Sequence, residues 1–130
     1  MQCDLIENDF CKLWIEGEVL CCKFQPYLEI DMPVIKKCVS ERISFTNGTS
    51  YTMLADIKYL KYFTSDAKEY LASKEGCKDL LAIAFLVSTQ IEKFMIKLFI
   101  EVNHPNVPCA VFADKKQALE WLSLNNIKGT

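Results

Sequence analysis

The sequence has few of the residues on which most catalytic and metal sites depend. It contains one histidine, His104, and only four glycines in 130 residues. The glycines are scattered, so the chain has no glycine-rich loop that would hold a phosphate group. The 17 acidic and 15 basic residues leave a formal charge of −2, whereas nucleic-acid-binding domains are usually basic. These shortages argue against a metal, a cofactor and a nucleic-acid partner.

Long apolar segments are also missing. The longest apolar run, Leu80–Val87, is much shorter than the roughly 20 residues of a membrane-spanning helix. The acidic residues Asp4, Glu7 and Asp9 are unlike the basic beginning of a signal peptide. We therefore expect a cytoplasmic protein with no membrane span.

The seven cysteines follow neither a disulfide pattern nor a zinc pattern. Their number is odd, and no two of them form a C-x-x-C pair. Disulfide frameworks usually have an even number of cysteines, and a zinc site needs about four ligands with paired spacing. A free thiol inside an apolar stretch packs as a small hydrophobic side chain. We predict reduced, structural cysteines, and those within apolar stretches are Cys21, Cys22, Cys38 and Cys109.

Alternating and continuous apolar segments predict five strands. The first two flank Gly17, which is typical of a β-hairpin. The fourth is almost continuously apolar, as expected for a strand that is buried on both faces of a sheet. The predicted strands are Phe10–Glu16, Val19–Phe24, Ser50–Ile57, Leu80–Val87 and Val107–Phe112.

Capping residues and helical spacing predict four helices. Asp31 is a candidate N-cap for a helix that reaches about Phe45 and ends at Asn47-Gly48. Thr89 and Glu92 form a capping box that opens a longer helix to about Asn103. The other two helices are Asp66–Ser73, with Asp66 as the possible cap, and a helix after Asp114 that turns Ala118, Leu119 and Leu122 inward.

The resulting order, ββαβαβαβα, predicts an α/β fold. Strands that alternate with helices pair in parallel through right-handed crossovers, and the helices pack on the sheet. The hairpin at the beginning adds an antiparallel pair. We therefore expect one domain over residues 1–130 with a mixed, mainly parallel sheet.

Two segments around residue 60 resemble the STAS family, the fold of bacterial anti-sigma factor antagonists and of the cytosolic tails of sulphate transporters. They are Met53–Ile57 and Leu60–Ala67. In that family a buried strand ends in Asp-Leu, and a loop leads to an Asp-Ser-Ser-Gly turn that opens a helix. The chain is also similar to small, uncharacterised bacterial STAS-like proteins through Tyr70–Ser73, Asn103–Pro105 and Ala118–Leu122. The resemblance implies the STAS-like fold and a bacterial regulatory module.

The same resemblance places Thr64, Ser65 and Asp66 at the phosphorylation turn of the antagonists. The serine that is phosphorylated in the family corresponds to Asp66, and the glycine after it corresponds to Ala67. A serine kinase cannot phosphorylate an aspartate, so a phosphorylation switch at this turn would have to use Ser65. The alternative is that Thr64, Ser65 and Asp66 only cap the helix.

We expect a non-enzymatic module that binds an unknown protein partner. His104 lies in a turn after a helix, where we expect a cap or a solvated side chain and not a general base. The alternative function is that of a carrier for a small apolar ligand or lipid, held beneath the loop that contains Tyr59, Tyr62 and Phe63. Basic and aromatic residues also alternate in this loop, but the acidic composition argues against stacking on nucleic-acid bases.

The helix after Thr89 has more apolar residues than one buried face requires. We expect Ile96 and Ile100 to lie close to the exposed side, where a surface helix is normally polar. Either the rest of the fold buries this helix on all sides, or Ile96 and Ile100 meet a partner. We predict the second, a homodimer through Ile96 and Ile100. The inward stripe in this prediction consists of Ile91, Met95, Leu98 and Val102.

Overall fold

A computed structural model describes residues 5–126 and confirms the α/β prediction. The predictions that involve Cys3 and Asp4 concern residues outside this range. The helices are α1 (Met32–Thr46), α2 (Ser65–Ala72), α3 (Gln90–Asn103) and α4 (Lys115–Leu124). The strands are β1 (Leu5–Glu7), β2 (Cys11–Glu16), β3 (Val19–Phe24), β4 (Glu29–Ile30), β5 (Tyr51–Asp56), β6 (Tyr62–Phe63), β7 (Leu80–Leu86) and β8 (Cys109–Phe112). The sequence did not predict β1, β4 and β6, because strands of two or three residues are too short to show an alternating pattern.

Six strands form the central sheet in the order β1-β2-β3-β5-β7-β8. Strands β1, β2 and β3 are antiparallel, whereas β3, β5, β7 and β8 are parallel. The parallel strands follow one another in a single direction across the sheet. Right-handed crossovers therefore place α1, α2 and α3 on the same face. Helix α4 follows the last strand, makes no crossover and packs on the opposite face.

The larger part of the core lies on the face covered by α1, α2 and α3, here called the three-helix face. Side chains alternate along each strand, so Phe85 points to this face and Ala84 points to the other. Phe85 packs edge-on against Phe99 of α3, with ring centroids 5.9 Å apart. Further buried residues of this face are Leu13, Leu20, Ile35, Val39, Met53, Leu71, Ile83 and Ile96.

The opposite face, here called the α4 face, has a smaller core. Ala118 and Leu122 of α4 are fully buried, as predicted, and Leu119 is half-buried. The strand residues beneath them are Cys21, Leu54, Ala82, Ala84 and Leu86. Cys21, Cys22 and Cys38 are buried, also as predicted, and Cys109 is half-buried.

The capping residues lie at the predicted helix ends, with one correction. The Asp31 carboxylate accepts a hydrogen bond from the Val34 amide, and Asn47 ends α1 in the left-handed conformation with φ 50°. The N-cap of α2 is Thr64, not Asp66. Asp66 is the second residue of the helix. The helix begins earlier than predicted because Thr64 is the last residue with extended backbone angles and its hydroxyl accepts a hydrogen bond from the Ala67 amide.

Candidate protein-contact site

The turn that opens α2 is exposed and carries a fixed negative charge. The Thr64 hydroxyl accepts a hydrogen bond from the Ala67 amide (3.3 Å) and donates one to the Asp66 carboxylate (2.5 Å). The Asp66 carboxylate also accepts from the Ala67 amide at 2.8 Å. A carboxylate near a helix N-terminus is stabilised by the helix dipole. Thr64 and Asp66 are thus engaged in capping, while Ser65 is exposed on the surface beside them.

Helix α3 is anchored at its beginning by a buried carboxylate. The predicted capping box is present, since the Thr89 hydroxyl accepts from the Glu92 amide and the Glu92 side chain accepts from the Thr89 amide. Glu92 also accepts from the Ser88 amide and, through its second oxygen, from the Tyr59 amide, both at 2.8 Å. The Glu92 carboxylate therefore connects the start of α3 to the loop that contains Tyr59, Tyr62 and Phe63. The capping pattern indicated the first role of Glu92, whereas its contact with Tyr59, 33 residues away, has no local sequence signal.

The orientation of α3 is the opposite of the predicted one. Ile96 is 1% exposed and packs in the core with Phe99, and Ile100 is half-buried against the same core. The dimer contact predicted at Ile96 and Ile100 therefore needs correction, because a core residue cannot reach a second molecule. Most of the predicted inward stripe is exposed instead. Met95 is half-buried, whereas the exposed fractions of Ile91, Phe94, Leu98 and Val102 are 80%, 67%, 47% and 64%.

These four exposed side chains, Ile91, Phe94, Leu98 and Val102, are here called the α3 stripe. They lie three or four residues apart, so they follow one side of the helix over about 16 Å. Toward the C-terminal end the stripe borders a cleft of about 260 Å³ between α2 and α3. The cleft is lined by Ser65, Lys68, Glu69, Leu98, Phe99, Val102 and Asn103. The tertiary structure thus brings the predicted phosphorylation turn and an exposed apolar helix face together.

The three aromatic residues of the predicted ligand loop differ in their exposure to solvent. Tyr59 and Tyr62 are each 53% exposed, whereas Phe63 is buried and stacks on Phe99 with ring centroids 6.3 Å apart. The space beneath the loop on that side is occupied by these two phenyl rings. The cleft between α2 and α3 is lined by Phe99 and not by Tyr59, Tyr62 or Phe63.

The backbone of His104 and the carboxylate of Asp56 make structural contacts. His104 follows α3 in the left-handed conformation with φ 49°, and its amide donates to the Ile100 carbonyl at 3.3 Å, so it is a C-terminal cap. The Asp56 carboxylate accepts from the Lys58 amide at 3.1 Å and lies 3.7 Å from the Lys58 ammonium group. Within residues 5–126, no three His, Cys, Asp or Glu side chains are placed to hold a metal ion. No helix in that range has the length and apolar character to cross a membrane.

Comparison with solved structures defines the class of fold. The chain is similar to an uncharacterised protein of the DUF3478 family from Shewanella loihica, which has a SpoIIAA-like fold. The two share 16% sequence identity with a TM-score of 0.61, over 86% of this chain and 91% of the other. The protein therefore has the SpoIIAA-like, STAS-like fold that the segments around residue 60 predicted.

The particular family follows from the sequence. The chain belongs to the family described as Domain of unknown function (DUF7793), whose model matches residues 13–125. No curated protein matches the chain. The fold and the family are thus established, and the function has to be argued from the residues of the site.

Proposed function

We propose that this STAS-like protein is a non-enzymatic interaction module that binds through the α3 stripe. The observation that carries the proposal is the exposure of Ile91, Phe94, Leu98 and Val102 on one side of a helix whose other side is in the core. Single exposed apolar residues are common, but a contiguous apolar patch on a small protein marks an interaction site. An amphipathic helix usually turns its polar side to water. The α3 stripe does the reverse.

The partner that fits the α3 stripe is a second copy of the chain. The rim of the stripe carries charges of both signs, namely Lys68, Glu69, Lys97 and Glu101. A two-fold interface brings the same patch of both subunits together, so each sign on one subunit can meet the opposite sign on the other. A rim of a single sign would repel its own copy. The surface is therefore self-complementary in charge and apolar at its centre, as dimer interfaces are.

The environments of the polar groups support a non-enzymatic role. A general base needs a free nitrogen or carboxylate oxygen directed at a reacting group. Glu92 is buried and uses both oxygens for backbone amides, Asp56 is paired with Lys58, and Asp66 accepts from the Thr64 hydroxyl and the Ala67 amide. His104 lies at the end of α3. The carboxylates of Glu92, Asp56 and Asp66 therefore make structural contacts, and the backbone of His104 ends α3.

An apolar ligand in the cleft between α2 and α3 is the competing function. The cleft volume of about 260 Å³ is slightly below the range of about 300–1,000 Å³ that is usual for small-molecule pockets. Lys68 and Glu69 also line it, so its wall is partly charged. The continuous apolar surface is on the α3 stripe outside the cleft, and this favours a protein surface as the occupant.

Sedimentation velocity and light scattering test the proposal at high micromolar protein concentration. We expect a dimer for the wild type and a monomer for Phe94→Glu, since the charge would be placed in the centre of the interface. Phe94 is 67% exposed, so the substitution should leave the melting temperature nearly unchanged. Ile100 is less suitable for this test, because its side chain packs against the core.

Leu124→Glu is the matched control, since Leu124 is 77% exposed on α4, away from the stripe. This variant should dimerise like the wild type. A wild-type monomer at all concentrations would contradict the proposal. Native mass spectrometry that finds a co-purified apolar molecule, displaced by Val102→Trp at the cleft, would support the carrier instead.

A further inference from the structure

Three cysteine thiols meet in the core of the three-helix face. Cys11 begins β2, Cys22 lies on β3, and Cys38 lies on α1. Cys22 pairs with Leu13 across the hairpin, so Cys11, two residues away on the same strand face, is its diagonal neighbour. The sulfur atoms of Cys11 and Cys38 are 3.9 Å apart, and all three residues are buried. Cys11, Cys22 and Cys38 are here called the thiol cluster.

A buried cation and a small void lie beside the thiol cluster. Cys22, Cys38 and Arg42 line a cavity of about 20 Å³, which is enough for one water-sized molecule. The Arg42 guanidinium donates to the carbonyls of Lys78 (2.7 Å) and Gly76 (2.9 Å). Its positive charge favours the thiolate form of neighbouring cysteines. The void borders Cys22 and Cys38, the two partners of Cys11 in the cluster.

Hydrogen bonding within the cluster makes the three thiols unequal. Contacts from Cys22 and Cys38 lower the pKa of Cys11, although burial opposes this, whereas the pKa values of Cys22 and Cys38 are raised by the same contacts and by burial. Thiolate is the reactive form of cysteine. Cys11 also lies directly after the surface turn at Asn8 and Asp9, so it is the thiol that an oxidant reaches first, and its sulfur is 3.9 Å from that of Cys38.

The turn before Cys11 covers the cluster and is held by one side chain. The side-chain oxygen of Asn8 accepts from the backbone amides of Phe10 (2.6 Å) and Cys11 (2.8 Å), and its side-chain nitrogen donates to the Glu41 carboxylate of α1 at 2.5 Å. Strand β1, directly before this turn, is exposed at the edge of the sheet. Edge elements with few core contacts open at a lower free energy than the core. Opening of the Asn8 turn would therefore uncover Cys11.

We propose that the thiol cluster is an oxidation site at which Cys11 and Cys38 form a reversible disulfide when the protein meets hydrogen peroxide. The Cys11 thiolate attacks one peroxide oxygen, the O–O bond breaks, and a sulfenic acid and one water are formed after uptake of a proton. The Cys38 sulfur then attacks the Cys11 sulfur, the S–O bond breaks, and the departing hydroxide takes the Cys38 proton to give a second water. Two thiols are oxidised by two electrons, and the peroxide is reduced to two waters. A low-molecular-weight thiol reverses the reaction by exchange.

Peptide mapping after exposure of the full chain to hydrogen peroxide tests this inference. Remaining thiols are alkylated under denaturing conditions, and cleavage after Glu7, Lys37 and Arg42 separates Cys11 from Cys3 and releases Cys38 on a short peptide. We expect a linked peptide that joins Cys11 to Cys38 and disappears after reduction. Cys21→Ala removes a buried thiol from the α4 face and should leave the linkage intact, whereas Cys38→Ala should abolish it and leave Cys11 as a sulfenic acid.

Asn8→Ala provides a second measurement that does not remove a thiol. Loss of the tether to Glu41 should increase the rate of disulfide formation several-fold. If Cys38→Ala fails to fold, the rate of disulfide formation in Asn8→Ala and the linked peptide of the wild type still test whether Cys11 and Cys38 form the disulfide. A wild type in which Cys11 and Cys38 oxidise no faster than Cys21, or in which Cys11 becomes linked to Cys22, would overturn the inference.

Discussion

The two faces of the central sheet are covered in different ways. The three-helix face buries large side chains such as Phe85, Phe63 and Phe99 between the sheet and three helices. The α4 face has one helix, and Ala82, Ala84 and Ala118 let it lie close to the strands. At the edge of the α4 face, the side chains of Trp14, Phe112 and Trp121 are only half-buried. Crossover handedness determines this asymmetry, because three connections fall on one face and only the terminal helix is left for the other.

The largest expected effect is on the three-helix face. Phe85→Ala should lower the free energy of unfolding by about 3–5 kcal/mol, since it removes a fully buried ring and its contact with Phe99. Leu122→Ala on the α4 face should cost about 2–3 kcal/mol, because the thin layer beside it can close over the cavity more easily. Urea unfolding followed by circular dichroism measures both values. Equal losses would show that the two faces are packed equally tightly.

Close packing on the three-helix face extends to the backbone at Gly76. A Cβ atom at residue 76 would lie 2.1 Å from the Tyr70 carbonyl oxygen and 2.8 Å from Leu71 Cα. Gly76→Ala should therefore cost about 3 kcal/mol, since backbone atoms of α2 would have to move. At Gly17, in the hairpin next to the α4 face, a Cβ would meet nothing within 4 Å, but φ is +64°. Gly17→Ala should cost only about 1 kcal/mol from backbone strain, and thermal unfolding of both variants separates the two causes.

Alkaline pH should weaken the α4 face through Cys21. Burial raises the pKa of this thiol from 9.0 to about 11. The folded protein therefore keeps a proton on Cys21 that the unfolded chain loses above pH 9. The contribution of the protonated Cys21 thiol to the free energy of unfolding is complete below pH 9 and is lost as the pH rises toward 11. Between pH 8 and 10.5 the wild type should lose about 2 kcal/mol more than Cys21→Ala. Equal losses in urea titrations at the two pH values would contradict this assignment.

The smallest expected effects are at the helix caps, where the two faces should behave alike. Thr64→Ala at α2 and Asp114→Ala at α4 should each cost about 1 kcal/mol, because each removes the acceptor of one backbone amide. Asp66→Ser should change stability by less than about 0.5 kcal/mol, since Thr64 still caps the helix. Thermal unfolding at pH 7 checks all three. A loss for Asp66→Ser as large as that for Thr64→Ala would show that Asp66 is the principal cap.

The site was only partly predictable, and α3 shows why. The sequence identified its beginning, because the capping box is a local pattern in which Thr89 and Glu92 satisfy each other's backbone amides. The inward face was predicted wrongly, because apolar residues occur on both sides of the helix and periodicity alone cannot choose between them. The inward face of α3 is determined by Phe99, which packs against Phe85 of β7 and Phe63 of β6. These contacts join segments far apart in the chain.

The sequence by itself determined the α/β class, the five principal strands and the four helices, because apolar periodicity, glycine and capping residues act within a few positions of the chain. It also determined that most cysteines would be buried, since they lie in apolar stretches. The tertiary structure alone decided which side of α3 faces water, and it placed Ser65 beside Leu98 and Val102. It likewise brought Cys11 within 3.9 Å of Cys38. The physical reason is that the contacts of Ser65 and of Cys11 both arise where one element packs on another. Which faces pack together depends on crossover handedness and on the large side chains that fill the space between the sheet and the helices.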